Sequence, residues 1–129
     1  MPQQKNCVST SMTQKIRESD IQISVANWLR QKYPQVLFTA GLGGLKLTVG
    51  QAVKIKRMGY RNGTPDLMIF ESSGVWRALF IELKRDKGIA SADQQVFQCD
   101  AMRRRYLYEI CYGYDETIKT ITNYLENRE

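Results

Sequence analysis

Glu82 and Lys84 stand two residues apart inside an apolar run, Leu79-Phe80-Ile81-Glu82-Leu83-Lys84. On an extended strand that spacing sends both side chains from one face. Ionised groups are rarely tolerated inside a buried strand unless they are paired or bound to metal. Asp66 follows the Gly63-Thr64-Pro65 turn and opens the preceding apolar stretch, Asp66 to Phe70. If the two stretches are antiparallel neighbours joined through residues 72–75, pairing brings Asp66 beside Glu82. Two carboxylates that close repel each other unless a cation lies between them. Mg²⁺ suits that gap, because it takes oxygen ligands, keeps several waters and uses one or two carboxylates plus a substrate phosphate. Held by Asp66 and Glu82, with the backbone carbonyl of Leu83 as a further oxygen ligand, it would polarise a phosphoryl oxygen and lower the pKa of a bound water. Lys84 would orient that water and offset charge in the transition state. Glu18 is a candidate for a second metal site or for an outer partner of the first. Plainer readings exist: Glu82 with Lys84 as an edge ion pair, Pro65-Asp66 as ordinary turn chemistry. Their conjunction on consecutive strands favours the chemistry.

Composition narrows the field from the other side. The 129 residues fit one domain, and none is histidine. That excludes a Ser-His-Asp triad, a Cys-His dyad and the usual zinc sites. Cys7, Cys99 and Cys111 are scattered and odd in number, so no disulfide framework is expected. They are expected to act as small apolar residues in a reducing cytoplasm. No apolar run approaches the roughly 18 residues of a membrane span. The first twenty residues lack a signal-peptide apolar region, so a cytoplasmic location without membrane association is expected.

The elements that must position these residues follow from periodicity. Residues 1–12 are polar and aperiodic and predict an N-terminal tail, with the domain over 13–129. Ile21, Val25, Trp28 and Leu29 form one helical stripe that ends by Tyr33, before Pro34. Glu18 and Gln22 lie one turn apart at its edge, and Trp28 is expected in the core or a subunit interface. Val36 to Ala40 predicts a strand, and Gly41 to Gly44 a flexible turn. The following Lys46 and Thr48 do not have the contiguous spacing of a phosphate-binding P-loop. Residues 48–58 predict a helix stopped at Gly59. Asp66–Phe70 and Arg77–Lys84 predict strands across a Ser72-Ser73-Gly74 break, the second central and buried. Ser91-Ala92-Asp93-Gln94 is a capping box opening a helix to about Arg104. Leu107–Tyr112 predicts a strand, and Asp115 is expected to cap a last helix carrying Ile118, Ile121 and Leu125. The order α-β-α-β-β-α-β-α implies an α/β fold, a mixed sheet flanked by helices.

Charge is unevenly placed. Residues 46–105 hold 12 Lys and Arg against six acids, whereas the rest of the chain has seven of each, so the whole net charge of +6 lies in the middle. A localised basic surface predicts a polyanion, nucleic acid first; a surface evolved for solubility is the competing explanation. Lys54, Lys56, Arg57 and Arg61 precede the Asp66 turn, and Arg85 and Lys87 follow Lys84. These six are expected to track phosphates, which predicts shape-dependent, salt-sensitive binding without base readout. Arg103 to Arg105 end a helix, where cations also suit the helix dipole.

Gly63-Thr64-Pro65-Asp66 followed by Ile81-Glu82-Leu83-Lys84 resembles the PD-(D/E)xK nuclease signature. More narrowly, it is similar to the virus-type replication-repair nuclease (VRR-NUC) domain, whose K-G and S-x-x-Q elements correspond to Lys87-Gly88 and Ser91-Ala92-Asp93-Gln94. The family's helical Glu and Gln, four apart, are matched by Glu18 and Gln22. The similarity runs from about Glu18 to Leu125, as in stand-alone phage and bacterial members. It implies a restriction-endonuclease-like core and a Mg²⁺- or Mn²⁺-dependent DNA endonuclease without organic cofactor. Asp66 and Glu82 would be metal ligands, Lys84 the catalytic lysine and Glu18 a further acidic site residue. Gln94 would lie near the scissile phosphate or the lysine, a role that competes with capping. Stand-alone members are similar to Holliday-junction resolvases in being homodimers, so branched DNA is the implied substrate. Arg105 departs from the pattern, since members often have glycine there. A non-catalytic nucleic-acid-binding module of the same fold and an RNA-directed nuclease are the competing readings.

Overall fold

The computed structural model describes residues 17–127; the expected tail and Cys7 lie outside the described residues. Element by element the order matches the expectation: α1 (Glu18–Lys32), β1 (Phe38–Ala40), α2 (Val49–Arg57), β2 (Leu67–Ile69), β3 (Ala78–Lys84), α3 (Ala92–Arg103), β4 (Tyr106–Tyr112) and α4 (Gly113–Glu126). The sheet order is β1-β2-β3-β4. β1–β2 and β2–β3 are antiparallel, and β3–β4 is parallel. This is a mixed sheet flanked by helices, with β3 interior as its uninterrupted apolar run requires.

The pleat of β3 divides the molecule. Leu79, Ile81 and Leu83 face one side and join Ile21, Val25 and Leu29 of α1 and Ile121, Tyr124 and Leu125 of α4 in the main core. Each such aliphatic side chain, fully buried, contributes roughly 1.5–3 kcal/mol. Phe80 faces the other side, where Ala101 and Phe97 of α3 pack with Tyr108. By alternation Glu82 and Lys84 leave β3 on this α3 side. Trp28 packs half-buried against the main core, edge-on to Tyr33 at 5.6 Å.

Three expectations are corrected. Asp115 does not cap the last helix: β4 runs into α4 without a loop, Gly113 makes the bend at φ +85°, and Tyr112 is the N-cap residue. Its backbone N–H is instead taken by the Glu116 carboxylate at 3.1 Å. Cys111 is buried, but Cys99 is exposed on α3. The first strand is only three residues long, because Val36 and Leu37 lead into it. Among the described residues, no helix is long and apolar enough to cross a membrane.

Candidate active site

Antiparallel pairing sets Leu67 opposite Ile81, so one step further along the ladder Asp66 lies opposite Glu82. The Asp66 carboxylate accepts the Leu83 N–H at 2.8 Å, across the strand pair. Its backbone carbonyl accepts from the Gln22 amide and from the Gly41 N–H, both at 3.0 Å. The turn that delivers Asp66 is held just as tightly. Gly63 adopts φ +88°, and a Cβ there would meet the Asp93 carbonyl at 2.3 Å. Tyr108 donates its hydroxyl to the Gly63 carbonyl at 3.3 Å. Only glycine supplies that backbone conformation with α3 packed so close.

Glu82 is 5% exposed. One carboxylate oxygen accepts from the Gln94 amide at 2.6 Å and lies 3.8 Å from the Lys84 ammonium. The other, Oε1, is buried and has no hydrogen-bond partner. Burial and then the Asp66 charge push the Glu82 carboxyl up to about 8, against the pull of Lys84. Asp66 is also raised, by burial first, with the Leu83 N–H opposing. Burial raises both carboxyls, the Asp66 charge raises Glu82 further and the Glu18 charge raises Asp66; with one buried oxygen unpartnered, the pair is a set of oxygen donors short of positive charge. These donors fit a hard divalent cation such as Mg²⁺ or Mn²⁺.

Gln94 reconciles two roles that the sequence set in competition. Its Oε1 accepts the Ser91 N–H at 2.9 Å while the Ser91 hydroxyl accepts the Gln94 N–H, completing the capping box. Its Nε2 remains to bind Glu82. Glu18, in the first turn of α1, accepts the Arg85 N–H at 3.3 Å, and its charge reaches both Asp66 and Glu82. Among the described residues no three acidic or cysteine side chains gather into one metal-binding group; the carboxylates that the ladder brings together are Asp66 and Glu82.

The basic residues fall into two groups. Lys54, Lys56 and Arg57 are exposed in the last turns of α2, and Lys87 is exposed after β3. Arg61 instead bonds the Asp100 carboxylate at 2.5 Å and lies over the Phe97 ring at 5.2 Å. Arg85 pairs with Asp86 at 3.7 Å.

Two features of the site were not foreseen. Residues 41–44 are more than a turn: a Cβ on Gly41 would meet the Pro65 carbonyl at 2.3 Å, and one on Gly43 would stand 3.6 Å from Asp66 Oδ1. The glycine run therefore walls the site beside Asp66. Tyr60, half-buried, has its hydroxyl raised by burial and by the charges of Glu82 and Asp66. Its position directly after Gly59 was the only sequence signal.

The fold is shared with a solved structure described as "VRR_NUC domain protein". That chain is 24% identical, the TM-score is 0.73, and the match spans 88% of this chain and 92% of the other. The resemblance carried by the two sequence motifs is thus borne out at the level of fold. No family model and no curated protein matches the sequence.

Proposed function

We propose that the chain is a Mg²⁺- or Mn²⁺-dependent DNA endonuclease that hydrolyses phosphodiester bonds in branched DNA, such as four-way junctions. It would act as a homodimer in the cytoplasm of a bacterial or phage-infected cell. The observation that carries this reading is the buried, unpartnered Oε1 of Glu82, a carboxylate whose other oxygen meets Gln94 and Lys84 and whose strand lies against the start of the Asp66 strand. A bound divalent cation supplies electrophilic activation of phosphate and water. Asp66 and Glu82 hold it, the Leu83 N–H orients the Asp66 carboxylate, and Gln94 fixes the Glu82 rotamer. Lys84 brings its ammonium within 3.8 Å of the Glu82 oxygen that Gln94 also binds, where it stabilises negative charge developing on the phosphoryl group. Lys54, Lys56, Arg57 and Lys87 contribute exposed positive charge for flanking phosphates.

The test is a cleavage panel of four-way junctions, flaps, forks, duplex and single strands, with RNA counterparts. Each is run with Mg²⁺, Mn²⁺ or EDTA, for wild type and Asp66→Asn. Metal-dependent cutting of branched DNA that Asp66→Asn abolishes, with binding retained, is the expected result. Salt-sensitive binding without cutting in either metal would leave the non-catalytic module, and equal cutting by both proteins would move the chemistry elsewhere.

A further inference from the structure

Lys84 ends β3, and its partner in the parallel ladder is Tyr112. Beyond Lys84 the chain turns back on itself. The Gly88 backbone passes so close to the Lys84 side chain that a Cβ on Gly88 would stand 3.3 Å from Lys84 Cδ and 3.9 Å from its Cβ and Cγ. The Tyr112 hydroxyl donates to the Gly88 carbonyl at 2.9 Å. The Glu18 carboxylate holds the start of the same loop through the Arg85 N–H, and the Gln95 amide holds its end through the Ala90 carbonyl at 3.0 Å. Loop residues 85–89 are otherwise exposed, whereas the Lys84 side chain is only 14% exposed. The lysine is therefore sheltered by a loop that has little burial of its own and is pinned by a few hydrogen bonds.

We propose that Tyr112 is a positioning residue for Lys84. By bonding the Gly88 carbonyl, it presses the 85–88 backbone onto the lysine stem and restricts the rotamers open to it, keeping the ammonium beside Glu82. Without that hydroxyl the loop lifts and the lysine reaches solvent. A long, flexible alkylammonium chain regains rotamer freedom when a restraint on its stem is removed. The Tyr112 hydroxyl is bonded to the Gly88 carbonyl and not to either carboxylate of the pair, so its effect runs through Gly88. The catalytic consequence rests on the nuclease reading, but the shelter itself does not.

The first arm of the test is competitive amine labelling of the metal-free protein, read by mass spectrometry. In wild type Lys84, with its side chain 14% exposed, is expected to label more slowly than the exposed Lys54 and Lys56. Tyr112→Phe is expected to raise Lys84 labelling several-fold and leave the α2 lysines unchanged, while Tyr114→Phe, two residues on, changes nothing. Gly88→Ala, which intrudes on the lysine stem from the loop side, is expected to do the same, and the double variant to add little. The second arm is cleavage, where Tyr112→Phe should lower kcat about ten-fold with KM unchanged. Unchanged Lys84 labelling in Tyr112→Phe overturns the positioning role. Wild-type cleavage that survives Tyr112→Phe undiminished overturns its catalytic consequence. A wild type that labels as expected but cuts no substrate overturns the nuclease reading alone.

Discussion

Glu82→Gln is expected to make the metal-free protein more stable at alkaline pH while removing the site's function. Glu82 is raised from an ordinary 4.5 to about 8, by burial first and the Asp66 charge second. A carboxyl whose folded pKa lies above its unfolded value contributes stability that is fully present below the unfolded pKa. That contribution is lost as pH rises through the folded pKa. The metal-free wild type should therefore weaken between about pH 4.5 and 8, the interval set by the raised carboxyl. At about 1.4 kcal/mol per pH unit the ceiling of that loss is about 5 kcal/mol. Asp66 shares the strain, since its carboxyl is raised too, and the variant loses the Glu82–Lys84 ion pair. We expect Glu82→Gln to exceed wild type by about 2–3 kcal/mol at pH 9 and to match it near pH 5. Urea unfolding in EDTA, followed by the fluorescence of Trp28 and Trp76, measures both. Comparing the two proteins at each pH cancels the titration of groups that do not interact with Glu82, whereas Asp66, which does, belongs to the strain being measured. Added Mg²⁺ should stabilise wild type at pH 9 and leave the variant unmoved. A stability difference that stays constant from pH 5 to 9 would refute the strained-pair argument, as would a wild type more stable than the variant at pH 9.

Three further outcomes follow from the geometry. Gly63→Ala forces a side chain into φ +88° and against the Asp93 carbonyl, and should cost about 3 kcal/mol in urea unfolding. Arg105 sits at φ +65° just past the end of α3, a position where a Cβ is penalised; Arg105→Gly should raise stability by about 1 kcal/mol, visible as a shift in the urea midpoint. Neutralising Lys54, Lys56 and Arg57 together should weaken DNA binding uniformly across sequences. It should also flatten the salt dependence by about 0.9 in log–log slope for each phosphate contact removed, measured by titration across a salt series.

Much of the site was legible because its signals are local. The Gly63-to-Asp66 turn, the two-residue spacing of Glu82 and Lys84, and the Ser91–Gln94 capping box each involve a few adjacent residues. Their elements fell where expected, with bounds differing by a residue or two at most ends. The departure at Arg105 was visible as an odd residue in a familiar place. Its physical content is the left-handed backbone there, which the Arg77 N–H bonds at 2.7 Å through the Arg105 carbonyl. What stayed hidden depends on distant segments. Nothing near residues 41–44 says that their backbone will pass beside Asp66. Asp115 looked like a cap because its type is right, yet a strand that passes directly into a helix moves the cap to Tyr112. Gln94 looked divided between capping and the site because a side chain was given one task. A carboxamide has an acceptor and a donor end, and here each is used.

The position of the site follows from the sheet's change of direction. β3 pairs antiparallel with β2 and parallel with β4, so the C-terminal end of β3 meets the start of β2, which brings Asp66 to Glu82. Two helices begin at the same place: the first turn of α1 supplies Glu18, and the first turn of α3 supplies Gln94. Helix N-termini carry partial positive charge and unsatisfied N–H groups. Their convergence lowers the cost of gathering Glu18, Asp66 and Glu82 at one end of the sheet, where the carboxylates would otherwise repel without relief. It does not cancel that cost, since Asp66 and Glu82 remain raised. Lys84 pulls Glu82 the other way yet leaves it near 8. The fold thus supplies enough positive potential to assemble the carboxylates and too little to satisfy them, which is the shortfall that a divalent cation would make good under the proposed function.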